Sequence, residues 1–477
     1  MTDMKKIIIT LLLVTSVSLI KAQQALTLYN MDVIGQSNQV NPSLMPENGM
    51  YIGIPMLSST TFLFTNSGFT WRDLHWIRPD DSVNIDIANA ISKLSEKNFI
   101  SMSFRTNILE TGFRIKNNYF SMNVSEKMNL NFTFPKELFE LLFNGNGAFI
   151  GQEIDLQRMS FDATHYREYA FGWVRALNKK VTVGTRLKYL YGMENYSSAK
   201  SRLSFYTAPD DYRIDLTSDY VINTSSTSNN KSGNSENYLF GLKNTGFAAD
   251  ISATYYYTDR WKFNASIVDL GFINWKSNVK NLVTASGSYS FDGLDVNQFV
   301  NDSSSGSESI TDSLSNSFKP IENTNPYKTN LSSHVYLNSS YKLSEKMNIT
   351  GLLHAQIFRE TVQPTFTAAL NRRFTDHFSG SISYSMINHH FTNVGAGIAL
   401  NLGALQFYLL SDNWIGTINP LSNNTAHFQF GFNLIYGKQK VKKAPDYGVH
   451  VKEIETNTKS ATEVVPIEVP VEEEIKK

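Results

Sequence analysis

From about residue 100 to residue 437 the chain repeats one pattern, about ten residues of alternation between apolar and polar or small side chains followed by a turn. In the last repeat Phe428, Phe430, Phe432, Leu434 and Tyr436 alternate with His427, Gln429, Gly431 and Asn433. Successive side chains of a strand point to opposite faces, so each run carries one apolar and one polar face. Soluble sandwiches use the same alternation. Runs near ten residues, aromatics at the strand ends and a leader-like N-terminus point instead to an all-β fold, a transmembrane antiparallel β-barrel.

The leader is Met4-Lys5-Lys6, an apolar stretch from Ile7 to Ile20, and a small residue at Ala22. A short basic region, an apolar core and a small residue make a secretory signal peptide over residues 1–22, with cleavage expected after Ala22. No later stretch reaches the ~18 to 20 apolar residues that a membrane helix needs. Barrel strands need none, which reconciles a mean hydropathy of -0.26 with a membrane location. The absence of cysteine excludes disulfides, thiol catalysis, cysteine zinc sites and a lipid anchor on cysteine. The 31 Phe, 23 Tyr and 6 Trp exceed what a soluble core requires, and 43 basic against 43 acidic residues offer no polycation for nucleic acid.

Residues 23–98 depart from the repeat. They hold short apolar pieces (Tyr51-Ile52-Gly53-Ile54, Phe62-Leu63-Phe64), the turn-rich stretch from Asn41-Pro42 to Pro46, and a helical pattern near Ile85 to Leu94. We read them as a plug or periplasmic segment packed inside or under the barrel, with Asn41, Pro42 and Pro46 as its structural motif; two further strands plus a loop are the alternative. The barrel then spans residues 99–437. Within it, Asn117-Asn118 and Glu126-Lys127 read as turns, and Pro135 opens a short amphipathic helix ended by Gly145 and Gly147.

From Tyr166 onward tight turns (178–180, 258–260, 344–346, 375–377, 403) alternate with long or polar connections (192–240, 276–330, 388–392, 412–425). Bacterial barrels put short turns in the periplasm and long loops outside, so the long connections face outward. About three strands before Pro135 and about eleven after Tyr166 suggest fourteen, within a range of 12 to 16, an even number that returns both ends to the periplasm. A charge on the lipid face costs about 2–4 kcal/mol at the midplane, so Arg186, Lys188 and Asp250 are expected to face the lumen, and a polar-face serine such as Ser383 is expected to accept a charge. Residues 438–477, with a basic run, prolines and a Glu-rich end, read as a disordered periplasmic tail.

Several elements together resemble an outer-membrane family of unknown function from Bacteroidota, whose barrel is similar to the long-chain fatty-acid transporter class and the related type IX secretion barrel. They are Asn41-Pro42, Pro135-Lys136-Glu137-Leu138 with Phe143-Asn144-Gly145-Asn146-Gly147, Tyr169-Ala170-Phe171-Gly172, Lys188-Tyr189-Leu190-Tyr191-Gly192 and Asp269-Leu270-Gly271-Phe272-Ile273-Asn274-Trp275. The resemblance implies about fourteen strands, an N-terminal segment in the lumen, and a sideways exit for hydrophobic ligands.

Motifs that carry chemistry are weak. Ser197-Ser198-Ala199-Lys200 and Ser411-Asp412-Asn413 match two motifs of penicillin-recognising serine enzymes, but Lys328-Thr329-Asn330 lacks the glycine of the third and comes in the wrong order. His389-His390 has no His-Glu-x-x-His pattern around it and reads as a solvated turn, so no metal or other cofactor is expected. A barrel phospholipase, with serine, histidine and an orienting group from separate strands, is a minor alternative to a chain that is not an enzyme. The aromatics Trp173, Tyr255, Tyr257, Trp261, Tyr341, Trp414 and Tyr436 fit interfacial girdles. The leading expectation is a plugged channel or transporter for small or hydrophobic molecules in a Gram-negative outer membrane; the alternative is a structural partner barrel in a secretion or envelope complex. Outer-membrane lipid, a hydrophobic small molecule, and a periplasmic or envelope protein held by the tail are the candidate partners.

Overall fold

The computed structural model describes residues 25–77, 83–157, 159–227, 243–284, 287–291, 321–359, 361–387 and 390–438. The expected signal peptide and almost all of the expected tail lie outside them. Alternation closes into a single ring of fourteen antiparallel strands. β1 comes in two pieces, Asn48–Gly53 and Thr60–Asn66. The others are β2 (Lys97–Ile115), β3 (Asn118–Pro135), β4 (Ser160–Ala176), β5 (Val181–Thr207), β6 (Thr245–Tyr256), β7 (Trp261–Trp275), β8 (Ser333–Ser344), β9 (Met347–Phe358), β10 (Thr361–Arg373), β11 (Phe378–Ile387), β12 (His390–Leu402), β13 (Leu405–Asn413) and β14 (Thr425–Lys438). Each pairs with the next, and β1 closes the ring by pairing with β14 on one edge and β2 on the other.

The count of fourteen agrees with the sequence, but its composition does not. Only two strands lie between residues 97 and 135, because Glu126-Lys127, read as a turn, sits within β3. The missing strand is β1, so the wall begins at Asn48 and not at residue 99. The pieces at Tyr51-Ile52 and Phe62-Leu63-Phe64 are wall, and what remains inside is residues 25–47. The helical pattern near Ile85 forms a helix, Ile87–Ser92, and Pro135 caps another, Lys136–Asn144, that ends at Gly145 (φ 72°). Residues 192–207, expected as loop, extend β5 past the neighbouring strand ends and pair with Ile214–Ser226.

Two rims result. Turns 116–117, 177–180, 257–260, 345–346, 374–377 and 403–404 share one rim with the chain ends Asn48 and Lys438, and the longer connections share the other. Outward positions are apolar and exposed, among them Phe247, Ile251, Leu337, Leu353, Phe366 and Ile382. That band is what a hydrocarbon environment demands of a closed sheet, whose backbone groups are satisfied within the wall. Near the tight-turn rim Trp261 packs across to Tyr341 with the rings tilted, 4.8 Å between centroids.

Inward positions are polar, but not all are open. Ser383 packs against Thr27 of the inner segment, Oγ to Oγ1 3.4 Å, so an arginine there would collide with that segment and the expected tolerance does not hold. Asn131, half-buried on the inner face of β3, is an open lumenal position. Ile382→Arg is therefore expected to lower stability in lipid vesicles by about 2–4 kcal/mol, and Asn131→Arg by much less. Denaturant titration of both variants checks this; equal losses would mean the faces are assigned wrongly.

Candidate functional site

The lumen holds residues 25–47, which run from the long-loop end of the barrel to its tight-turn rim. A short helix, α1 (Leu26–Asn30), begins beside Asp412 at the end of β13. The Asp412 carboxylate accepts from the backbone N–H of Leu26 at 3.2 Å and of Thr27 at 2.7 Å, filling two of the donors a helix start leaves unpaired. Below it Tyr29 stacks on Tyr336 at 4.9 Å, within an apolar cluster that includes Leu26, Leu28, Met31, Ile34, Leu352 and Tyr408. The inner segment thus gives a polar-lined barrel a hydrophobic core of its own.

Further down, side-chain amides take over. The Gln36 amide donates to Asn433 at 2.7 Å and the Gln39 amide to Glu110 at 2.6 Å. The Asn41 side-chain oxygen accepts from Ser43 at 3.0 Å and Asn264 at 3.0 Å, fixing the turn that Pro42 follows. The Pro42 carbonyl passes so close to β5 that a Cβ on Gly184 would lie 1.9 Å from its oxygen, so only glycine fits there. The Pro46 carbonyl accepts from Arg114 Nη2 at 2.7 Å, and the segment leaves the lumen where Glu47 meets Arg373 at 2.5 Å. Asn41, Pro42 and Pro46 therefore all contact the wall.

Arg186, Lys188 and Asp250 point inward and are nearly solvent-free (2%, 3% and 0% exposed). Lys188 Nζ lies 2.6 Å from both Asp250 and Asp269, Arg186 lies 3.3 Å from Asp250, and Lys127 lies 2.6 Å from Glu168. Arg186 also donates to the Gln39 carbonyl at 3.1 Å, which ties this network to the inner segment. Sequence reading found three of its six members. Lys127 was hidden in the supposed turn, while Glu168 and Asp269 stand in strands whose tyrosines and leucines drew the attention. A charge at an inward parity position was the signal.

At the level of the network the wall is irregular. Asp269 has φ 61°, and its N–H donates to Asp250 at 2.8 Å. Pairing of β6 with β7 shifts between Ala249 and Ile251. On the other edge of β7 the pairing with β8 stops at Val268 opposite His334 and resumes at Phe272 opposite Asn330, on a separate short strand, Tyr327–Asn330. Against this stretch lies a concave cavity of about 1480 Å³ whose lining runs from Leu109 and Met122 over Phe171, Leu187 and Phe247 to Leu270. Those six side chains face outward. The lining also includes Glu110, Asn123 and Lys188, which face inward.

The enzyme-like motifs are occupied otherwise: Asp412 caps α1, and Lys200 pairs with Asp219 on the long-loop rim. His389 and the side chain of His390 lie outside the described residues.

The model of a family of unknown function (DUF5723) matches residues 42–412. No curated protein matches the chain. Among solved structures the chain is similar to the Pseudomonas putida toluene transporter TodX (9% identity, TM-score 0.41, covering 85% of this chain and 93% of that one). It is also similar to the Ralstonia pickettii toluene transporter TbuX (9%, 0.39, 85% and 94%) and to a Pseudomonas aeruginosa FadL homologue (9%, 0.39, 84% and 93%). Likeness at this level transfers neither cargo nor mechanism.

Removing one partner from a buried ion cluster strands the rest. Lys188→Met leaves Asp250 and Asp269 short of a cation and is expected to destabilise the barrel by about 3–5 kcal/mol. Lys342→Met, which breaks an exposed pair with Glu345, is expected to change little. Urea unfolding followed by tryptophan fluorescence separates the two; a Lys188→Met variant as stable as Lys342→Met would mean the network is hydrated and slack.

Proposed function

We propose, since the chain belongs to a family of unknown function (DUF5723) and takes no activity from it, that it is an outer-membrane barrel passing small or hydrophobic molecules through a lumen held shut by residues 25–47. The observation that carries this reading is the coincidence of the apolar cavity with the interrupted pairing of β7. Ligand sites are concave and mostly apolar with a few polar anchors, and this one has outward leucines and phenylalanines with Lys188 and Glu110 at its inner edge. An apolar molecule leaving the lumen there would cross the wall where the ladder between β7 and β8 is interrupted. The inner segment is the natural closure, because below its apolar cluster residues 36–47 meet the wall through polar pairs that can exchange with water one at a time.

The exposed apolar band supports a reading in which lipid surrounds the barrel in the outer membrane of a Gram-negative cell, of Bacteroidota by the motif resemblance. Lys438 stands at the tight-turn rim, which supports a periplasmic tail available to an envelope protein. A barrel acting as a structural partner through that tail is the competing reading; it leaves the apolar cavity without a role.

The chain has no cysteine, so a disulfide can be added without a competitor. Ser43 and Ser252 face each other with hydroxyl oxygens 2.8 Å apart. In proteoliposomes, Ser43→Cys with Ser252→Cys is expected to release a small sugar or a hydrophobic dye more slowly when oxidised than when reduced. Equal release in both states would show that the inner segment does not gate the lumen, and no release in either would favour the structural partner. Protease added to intact cells is expected to leave the tail uncut; cleavage would reverse the topology.

A further inference from the structure

Across the seam of the barrel three inward residues share one register row. Thr61 of β1 stands opposite Arg105 of β2 on one edge and opposite Gln429 of β14 on the other. Partners in an antiparallel ladder point to the same face, and that face is inward here, since Gln429 is fully buried and Arg105 is next paired with lumenal Lys127. Each of the three ends in buried atoms with no hydrogen-bond partner among the described residues: Arg105 Nε and Nη2, Thr61 Oγ1 and Gln429 Oε1. One row toward the long-loop rim, opposite Leu63, lies His427. Its Nδ1 accepts from the Asp412 N–H at 2.9 Å, which leaves the proton of a neutral ring on Nε2, and Nε2 is also unpartnered.

The cations of the neighbouring lumenal network are neutralised. Lys127, Arg186 and Lys188 each lie within 3.3 Å of a carboxylate oxygen. Arg105 has no ion-pair partner among the described residues. Moreover, Nε and Nη2 form one edge of the guanidinium, whose two N–H bonds run parallel and match two oxygens of a carboxylate or phosphate. A buried donor edge without an acceptor is costly, and a guest that supplies two acceptor oxygens removes that cost.

From this geometry we propose that Arg105, with Thr61 and His427 as further donors, is an oxyanion-binding site in the lumen, taking the carboxylate or phosphate of a solute. The claim that this solute is cargo rests on the transport reading; the site itself does not. It adds a charge requirement to a lumen otherwise read as admitting small or apolar molecules.

Titration calorimetry on the full-length protein in detergent, corrected for empty micelles, with benzoate, phenyl phosphate and uncharged benzyl alcohol tests it. At least one anion is expected to bind, with affinity reduced about tenfold or more in Arg105→Gln. Arg105→Lys keeps the charge without the fork and is expected to lose several-fold, which carries the test should Arg105→Gln not fold. Benzyl alcohol is expected to respond to neither substitution. Binding of benzoate alone marks a carboxylate site, and of phenyl phosphate alone a phosphate site. Absence of anion binding above the micelle control, or unchanged affinity in both variants, overturns the proposal. Anion binding in a protein that passes nothing across liposomes would sink the transport reading and leave the site; flux without anion binding would do the reverse.

Discussion

Closure is the constraint on which everything else in this molecule depends. A sheet in hydrocarbon cannot leave an edge, because each unpaired backbone group there costs several kcal/mol with no water to take it. The ring is closed by β1, its only interrupted strand among the described fourteen, and the interruption itself is kept paired. Ile54 N donates to Phe432 O at 3.0 Å and Phe432 N to Leu57 O at 2.8 Å, while Met56 N donates to Asn107 O at 2.9 Å and Asn107 N to Ser59 O at 3.0 Å. The excursion of residues 54–59 is therefore stitched to both neighbours, with Met56 and Leu57 exposed and Ser58 and Ser59 buried.

Inside, two different devices fill space that a simple pore would leave to water. One is an apolar cluster around α1; the other is the Lys127, Glu168, Arg186, Lys188, Asp250 and Asp269 network. They meet where Arg186 donates to Gln39. The inner segment and the bend of β7 are thus mechanically linked, since Asp250 serves both Arg186 and the Asp269 N–H. A shift of residues 36–42 would be felt by the backbone at Asp269, beside the apolar cavity, without any intervening loop.

Strand number and face were legible in the sequence because both rest on period-two alternation, which β11 shows from Phe378 to Met386 and β14 from Ala426 to Leu434 without interruption. β1 was not legible, since its two pieces are short and Ile54 to Ser59 breaks the alternation between them. Glu126-Lys127 misled for a chemical reason: two charges side by side suggest a turn, yet here one points in to Glu168 and the other out to His165 and Arg167, at 2.7 Å each. The lumenal contacts were illegible in principle. Gln36 with Asn433, or Leu26 with Asp412, joins residues almost four hundred positions apart, and no local pattern encodes that pairing.

The direction of the inner segment also governs assembly. Ala25 is buried at the level of the long-loop end of β13, whereas Lys438 stands opposite Asn48 at the tight-turn rim. The segment must be in place before β1 joins β14, because afterwards the only way in is threading from a rim. Position 25 is consequently an interior address, and the exposed end of β14 at Gly437 is the one that can be labelled.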